Sequence, residues 1–321
     1  MFPEALMLVE KKGIDYEMRQ GPPLAKEELI EKISEVDGLI CLLGDQIDRK
    51  VLKAGKRLKI VANVAVVYDN IDVEAASELV IMVANTPEVL TEATADLTFG
   101  LLLAVARRIV EGDKIIREGG FHGWELDFLL GTDVHGKTLG IVGLGRIGAA
   151  VARRARGFGM SILYYNRTRR PELEKELQAK FVDFEELIQK SDFISLHLPL
   201  TVETQHLFGA EEFKKMKPTA FLINVARGPI VDEEALVGAL KSGEIAGAAL
   251  DVFDREPEVH PELLRMDNVV LAPHIGSAAR ETRVRMAILA AENAVAALSG
   301  QRPPNLVNPE VWESPAHGSN G

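Results

Sequence analysis

Three polar residues in the second half of the chain, each just past an apolar run, form a set that could protonate a carbonyl oxygen. Arg227 follows FLINVA, Glu256 follows ALDVFDR and His274 follows NVVLAP. Residues at the carboxyl ends of strands line the ligand sites of α/β folds, so we expect the three to meet. A guanidinium binds a carboxylate, histidine titrates near neutral pH, and a carboxylate keeps it oriented and protonated. Each residue alone has a structural explanation, but together they predict hydride transfer to a 2-keto acid.

The segment TLGIVGLGRIGAAVARRA predicts a dinucleotide-binding turn, because it places G-x-G-x-x-G between an apolar strand and an Ala-rich helix. The first glycine permits a tight turn, the second lets the backbone approach a pyrophosphate, and the third lets the helix pack on the strand. The helix N-terminus then favours the phosphate charge. The candidate cofactor-binding residues of this turn are Gly143, Gly145, Arg146, Ile147 and Gly148.

The end of the next strand, SILYYNRTRR, bears on the choice of nucleotide. A site for NAD usually has Asp or Glu here, which bonds the ribose hydroxyls. This chain has Asn166, Arg167 and Thr168 instead. A neutral residue does not repel a 2′-phosphate, and arginine pairs with one, although a solvated turn also explains the arginines. We therefore favour NADP(H) as the cofactor and keep NAD(H) open.

Short β-rich runs alternate with helical patterns along the whole chain, which is typical of parallel sheets covered by helices. Strands are expected at Ile14–Arg19, Gly38–Leu43, Lys59–Ala65, Ile81–Ala84, Leu139–Val142, Ser161–Tyr165, Phe193–Leu198, Ala220–Val225, Ala246–Val252 and Val269–Ala272. Two long helices are expected, over Ala93–Arg117 and Ser277–Leu298. We predict an α/β protein with two Rossmann-like lobes. The dinucleotide-binding lobe (87–275) would be inserted into a discontinuous, flavodoxin-like substrate lobe (1–86 and 276–312), followed by a disordered tail (313–321).

Composition narrows the classes of partner. The 321 residues include 37 Lys and Arg against 48 Asp and Glu, and this net charge of −11 argues against nucleic acid. No apolar run is long enough to span a membrane, and the N-terminus lacks a secretion signal, so a cytoplasmic location is expected. Cys41 lies in an apolar run and is expected to be a buried thiol. The remaining histidines have no partners at zinc-ligand spacing, so no metal is predicted.

Six stretches together resemble the D-isomer-specific 2-hydroxyacid dehydrogenase family, with the greatest similarity to its glyoxylate/hydroxypyruvate reductase branch. They occur in family order over nearly the whole chain: YDNID (68–72), NTPEVLTEATAD (85–96), GKTLGIVGLGRIG (136–148), NVARG (224–228), LDVFDREP (250–257) and PHIGS (273–277). The resemblance implies NAD(P)H-dependent reduction of a small 2-keto acid, glyoxylate or hydroxypyruvate, to its D-2-hydroxy acid.

The resemblance also implies roles for single residues. Arg227 would bind and polarise the substrate, Glu256 would support the histidine, and His274 would be the acid/base. The backbone amides of Val66 and Val67 would hold the substrate carboxylate. The cofactor would further be met by Pro199, Val225, Ala226, Asp251 and Gly276, with Asp251 at the nicotinamide carboxamide. Family members are generally homodimers, and the segment with Trp124 and Phe128 resembles the arm that reaches the partner.

Three departures from the family pattern bear on stability and specificity. Val67 replaces a glycine, and a β-branched residue there would resist a positive φ and add bulk beside the substrate carboxylate. Val80 also replaces a glycine and would be strained if it ends a helix in the left-handed conformation. The family's opening strand is expected to be missing here, and unless another segment fills the gap, this would leave strand edges unpaired and weaken the N-terminal lobe. Strong hydrogen-exchange protection of Lys59–Ala65 would contradict that last expectation.

Two other functions stay open. A 2-ketogluconate-type reductase would share all these motifs. A nucleotide-binding scaffold with little turnover could keep the same fold and even the three polar residues, because fold alone does not determine function.

Overall fold

The structure is a computed structural model that describes residues 1–21 and 24–313. The chain forms two compact units, Met1–Leu90 with the chain from Ala278 onward, and Thr91–Ser277. The division into a substrate lobe (1–86 and 276–312) and a dinucleotide-binding lobe (87–275) stays a prediction. The predicted tail, 313–321, lies outside the described residues except for Glu313, which ends a helix.

The first unit contains a parallel sheet of three strands in the order β1-β2-β3. Its strands are β1 (Gly38–Cys41), β2 (Ile60–Asn63) and β3 (Met82–Ala84). Its helices are α1 (Pro3–Lys11), α2 (Lys26–Ile33), α3 (Arg49–Ala54), α4 (Val73–Glu78), α12 (Arg280–Leu298) and α13 (Pro309–Glu313). The central strand β2 is wholly buried and is hydrogen-bonded on both sides, with the Ala-rich helix α12 packed on the sheet.

The two edges of this sheet differ. The outer edge of β3 is covered by the segment around Asn308, whose side chain accepts from the Val83 amide (2.8 Å) and donates to the Ile81 carbonyl (3.0 Å). Among the described residues no strand lies on the outer side of β1. The predicted strand Ile14–Arg19 is wrong, because this segment forms no ladder with any described strand. Residues of β-type composition do not make a strand without a neighbour to satisfy their backbone groups.

The second unit contains a parallel sheet of seven strands in the order β10-β9-β8-β7-β4-β5-β6. Its strands are β4 (Thr138–Val142), β5 (Ser161–Tyr165), β6 (Ala179–Phe181), β7 (Phe193–Leu196), β8 (Phe221–Asn224), β9 (Gly247–Leu250) and β10 (Val269–Leu271). Its helices are α5 (Thr91–Ala106), α6 (Ile109–Arg117), α7 (Arg146–Gly157), α8 (Pro171–Leu177), α9 (Phe184–Lys190), α10 (Ala210–Lys215) and α11 (Glu233–Ser242). The strand order reverses between β4 and β7, which is the Rossmann arrangement and marks the ligand-binding edge. The predicted α/β fold class is confirmed, although the sequence analysis missed the short strand β6.

The predicted helix Ala93–Arg117 is two helices, so that expectation is wrong. Helix α5 ends at Ala106, and Arg108 adopts a left-handed conformation (φ 52°) before α6 begins. The amide of Thr132 donates to the Ala106 carbonyl (2.7 Å), a carbonyl that a continuous helix would use internally. A distant loop therefore ends this helix at a position where the local sequence contains no helix breaker.

The two valines that replace family glycines behave differently. Val80 has φ 59° just past α4, so the predicted left-handed conformation is confirmed. Val67 is not among the residues of positive φ, so its backbone does not adopt the conformation that valine resists, and the effect of its bulk on the substrate stays a prediction. Valine fits that position because the backbone there does not need the conformational freedom of glycine.

Candidate active site

The glycine turn between β4 and α7 leaves space for a phosphate group. Gly143 has φ 102°, and a Cβ on it would lie 2.6 Å from the His197 carbonyl oxygen at the start of the neighbouring loop. A Cβ on Gly148 would lie 2.2 Å from the carbonyl oxygen of Gly143, whereas one on Gly145 would meet nothing within 4 Å. Arg146 and Ile147 begin the helix that follows. The turn is thus tight on one side and open at the helix N-terminus, which fits the pyrophosphate of a dinucleotide.

Asn166 lies at the end of β5 and fixes this turn. Its Oδ1 accepts the backbone amide of Leu144 at 2.6 Å, an interaction that sequence reasoning did not anticipate. Arg167 and Thr168 follow on the surface, and within the described residues Arg167 forms no salt bridge. Arg169, by contrast, is paired with Glu174 through both nitrogens (2.7 and 2.8 Å).

Glu174 keeps the nearby arginine in place. It accepts from Arg169 and from the Tyr164 hydroxyl (2.6 Å), and these hydrogen bonds lower the pKa of Glu174 to about 2. The Arg169 guanidinium therefore has a carboxylate partner within the protein, in an ion pair that lies at the surface. Arg167, unlike Arg169, forms no salt bridge within the described residues, although its charge interacts with Glu203.

His274 and Glu256 form a hydrogen-bonded pair at the carboxyl edge of the sheet. The Nδ1 of His274 lies 2.7 Å from a carboxylate oxygen of Glu256, and the other oxygen accepts the Phe253 amide at 3.1 Å. Burial acts to raise the pKa of Glu256, but the hydrogen bond and charge of His274, with smaller contributions from the Phe253 amide and Arg227, together lower it. An ionised carboxylate can only accept, so Nδ1 carries the proton and Nε2 is left for a ligand.

Asp251 anchors the loop that carries His274. Its two carboxylate oxygens accept the amides of Ile275 and Gly276, both at 2.7 Å, and its carbonyl accepts the amide of His274 at 2.9 Å. Asp251 is 1% exposed, and burial raises its pKa in spite of the two amide bonds. His274 has φ 52°, an uncommon conformation that these three bonds hold in place.

Arg227 lies three residues past β8, next to the loop of Glu256. The side chain of Asn224 donates to the Arg227 carbonyl and accepts the Ala226 amide, both at 3.0 Å, and so shapes the turn. A Cβ on Gly228 would lie 1.9 Å from the Phe253 backbone, so only glycine lets the two loops approach. Asn224 and Gly228 shape the Arg227 turn, and the sequence analysis did not identify them, although a buried polar residue at a strand end was the available signal.

The remaining candidate residues lie at strand ends of their own units. Pro199 follows β7, and its carbonyl accepts the Thr204 hydroxyl at 2.8 Å. Val225 and Ala226 follow β8, between Asn224 and Arg227. Val66 and Val67 follow β2 in the first unit and are partly buried. The second unit therefore holds the three proposed catalytic residues and the proposed cofactor residues on one edge of a single sheet.

Comparison with known proteins agrees with this geometry. A family model described as "D-isomer specific 2-hydroxyacid dehydrogenase, NAD binding domain" matches residues 99–276, which include the glycine turn and the Arg227, Glu256 and His274 loops. The chain belongs to the D-isomer specific 2-hydroxyacid dehydrogenase family. The dehydrogenase is 57% identical to the glyoxylate reductase of Thermococcus litoralis, over 92% of this chain and 90% of that one.

Two solved structures show the same architecture. A protein from Thermus thermophilus has a TM-score of 0.91 and 48% identity, covering 95% of this chain and 96% of its own. An NADPH-dependent glyoxylate/hydroxypyruvate reductase from Sinorhizobium meliloti, solved in complex with NADP and malonate, has a TM-score of 0.82 and 34% identity, covering 96% and 94%. The dehydrogenase therefore uses a nicotinamide dinucleotide to interconvert a 2-keto acid and a 2-hydroxy acid. Across residues 1–21 and 24–313, no helix has the length and apolar character needed to cross a membrane.

Proposed function

We propose that this dehydrogenase reduces glyoxylate and hydroxypyruvate with NADPH, with Arg227, Glu256 and His274 as its catalytic residues. The 2.7 Å pair of His274 and Glu256 carries the proposal, since it leaves Nε2 of an oriented histidine for a ligand at the same edge of the sheet as the cofactor turn. The names of the curated relatives, glyoxylate reductases at 53–57% identity, support the substrate. Hydroxypyruvate would give D-glycerate.

The chemistry assigned to these residues balances as a two-electron reduction. The nucleotide, when bound, supplies the hydride that adds to the keto carbon. The protonated His274 donates its Nε2 proton to the keto oxygen, which becomes the hydroxyl, and leaves a neutral imidazole. Glu256 stabilises the charged imidazole before that transfer, and Arg227 binds the substrate carboxylate and polarises the carbonyl.

The preference for NADPH rests on the turn after β5. Asn166 uses its oxygen on the Leu144 amide and brings no charge that would repel a 2′-phosphate. Arg167 would pair with that phosphate, and Thr168 would contribute a hydroxyl. The NADP held by the Sinorhizobium meliloti reductase supports this choice. NAD(H) stays the alternative.

We further propose that the protein is a homodimer. Apolar side chains are exposed along residues 109–130, which we call the apolar arm. They include Ile109, Val110, Ile116, Phe121, Trp124, Leu126, Phe128 and Leu130, with Trp124 and Leu126 each 81% exposed. A run of exposed apolar side chains on this scale marks an association surface.

The one cysteine, Cys41, is buried, so nothing here requires an oxidising compartment, and we propose a cytoplasmic location.

The first test measures oxidation of NADPH and of NADH with glyoxylate, hydroxypyruvate and 2-ketogluconate. We expect turnover of the first two with NADPH, lost in His274→Ala and Arg227→Ala. His260→Ala is the matched control, because His260 forms a histidine–glutamate pair with Glu234 (3.0 Å) outside the proposed site. Nucleotide binding without turnover of any of the three acids would overturn the proposed substrate and favour a scaffold.

The second test addresses the nucleotide. Arg167→Ala should weaken the binding of NADPH by roughly tenfold, the effect of one lost charge-assisted contact, and should leave the binding of NADH unchanged. Arg169→Ala is the control, because Glu174 already holds that guanidinium. Equal effects of Arg167→Ala on both nucleotides would refute the NADPH preference.

A further inference from the structure

The loop after β2 has three successive carbonyl groups, at residues 65–67, that each accept a hydrogen bond from elsewhere in the same unit. The donors are the Thr86 amide to Ala65 (2.8 Å), the Asn85 side-chain amide to Val66 (2.6 Å) and the Asn63 side-chain amide to Val67 (2.9 Å). Each of the three carbonyl groups therefore accepts a hydrogen bond from a different donor group. The orientation of three peptide groups is fixed by three separate contacts.

Fixing the carbonyls also fixes the amides. A trans peptide group is planar, so the carbonyl of one residue and the amide of the next point in opposite directions. The amides of Val66, Val67 and Tyr68 are accordingly turned away from the three donors. Within the described part of the chain, no hydrogen bond uses any of these three amides. Amides that no group of the protein uses can donate to a bound anion.

Both asparagines are themselves held in place, Asn63 through its side chain and Asn85 through its backbone. Asn63 is fully buried at the end of β2 and also donates to the side-chain oxygen of Asn70 (2.9 Å). The backbone of Asn85 donates to the Asn305 carbonyl (3.2 Å) and accepts from the side chain of Asn293 (3.1 Å). A donor fixed on both sides can impose its direction on the peptide group that it binds.

We propose that Asn63 and Asn85 are positioning residues that present the amides of Val66, Val67 and Tyr68 to the carboxylate of the substrate. The proposal rests on the proposed function, to which it adds the Val66 and Val67 amides that the family resemblance implies as carboxylate ligands, with Tyr68 as a third donor. Preorganised amides bind a carboxylate without the entropy cost of ordering the loop at each encounter. The asparagines act through the backbone and touch no reacting atom.

Asn85 is the better of the two to test, because it is only partly buried and lies outside the strands. Asn85→Ala and Asn85→Asp should each raise the KM for glyoxylate about tenfold, the effect of weakening one hydrogen bond to a charged group. The kcat should stay within about twofold and the KM for NADPH should not change, because the lost interaction is made equally in the ground and transition states. Oxalate, as a dead-end carboxylate, should bind the nucleotide-saturated protein about tenfold more weakly, measured by calorimetry.

Asn308→Ala is the matched control. Asn308 is as buried as Asn63, but it holds the outer edge of β3 and does not contact the loop at residues 65–67. It should lower the melting temperature and leave the KM for glyoxylate and the oxalate affinity unchanged. A KM rise in Asn85→Ala no larger than in Asn308→Ala, or a fall in kcat at constant KM, would overturn the proposal. If the wild-type protein does not reduce glyoxylate, the proposed substrate fails, and unchanged oxalate affinity in Asn85→Ala would still refute the positioning role separately.

Discussion

Replacing Val80 by glycine should stabilise the first unit. Helix α4 ends with the Ile81 amide bonded to the Ala76 carbonyl (2.8 Å) and the Val80 amide bonded to the Ser77 carbonyl (3.1 Å). This pair of hydrogen bonds is the Schellman motif, which places the residue after the C-cap in the left-handed conformation. Val80 has φ 59° there, and a β-branched side chain crowds the backbone in that region.

The magnitude follows from opposing contributions. The left-handed conformation costs an L-residue roughly 1–2 kcal/mol, and β-branching adds to this cost. Glycine removes the strain but loses more backbone entropy on folding, which costs about 0.5–1 kcal/mol. Val80 is 36% exposed, so the substitution also loses some packing. We expect Val80→Gly to raise the free energy of unfolding by about 0.5–1 kcal/mol, which corresponds to a melting temperature higher by about 2–4 °C at most.

Leu79→Gly is the matched control for this experiment. Leu79 is the adjacent residue with the same exposure, 36%, but its φ is −88°, so glycine there relieves no strain. That variant should lose about 1 kcal/mol. Both variants are compared with the wild type by urea denaturation and by differential scanning calorimetry. If the free energy of unfolding of Val80→Gly equals or falls below that of the wild type, the strain energy at Val80 is no larger than the packing energy of its side chain. That result would refute the reasoning.

Three further predictions follow from single contacts. Glu256→Gln should lower kcat by at least about tenfold with nucleotide affinity unchanged, because a neutral amide does not stabilise the charged imidazole of His274; equal kcat values in steady-state assays would contradict this. Burial lowers the pKa of His197 to about 3 from 6.5, so the protonated unfolded chain is favoured as the pH falls below 6.5. Between pH 7.5 and pH 5 the wild type should therefore lose about 2 kcal/mol more stability than His197→Gln, measured by denaturant titration at both pH values; parallel losses would show that His197 is not the cause. Burial also raises the pKa of the Cys41 thiol, so it should react with a maleimide only in denaturant, and rapid labelling of the native protein would refute its burial.

The main features of the second unit could be predicted from the sequence because their signals are local. The glycine turn needs three glycines between a strand and a helix, and Gly143 and Gly148 have steric reasons of the kind expected, whereas the position of Gly145 is open. Arg227, Glu256 and His274 each follow an apolar run, and parallel strands bring their carboxyl ends to one edge. Local pattern together with the rules of sheet topology therefore sufficed to place them.

Features that depend on distant partners could not be predicted. The end of α5 depends on Thr132, which lies 26 residues beyond Ala106 and takes its carbonyl. The sequence singled out Asn166 as a neutral residue near the nucleotide, but the bond of its oxygen to the Leu144 amide was not anticipated. The segment Ile14–Arg19 has the composition of a strand and no described strand to pair with. In each case a side-chain or backbone group had more than one possible partner, and only the packed fold selects among them.

Val80 and His274 share an uncommon backbone conformation, yet their surroundings give it different meanings. At His274 three hydrogen bonds to Asp251 hold the loop, and Glu256 holds the side chain, so the conformation is determined by contacts from several directions. Strain that the surroundings enforce in this way is typical of a functional site, because it orients a reacting group. At Val80 only the end of α4 imposes the conformation, and no described contact uses the side chain for orientation. We therefore expect substitution to relieve the strain at Val80 without affecting catalysis, whereas at His274 the strained backbone positions the side chain that we propose as the proton donor.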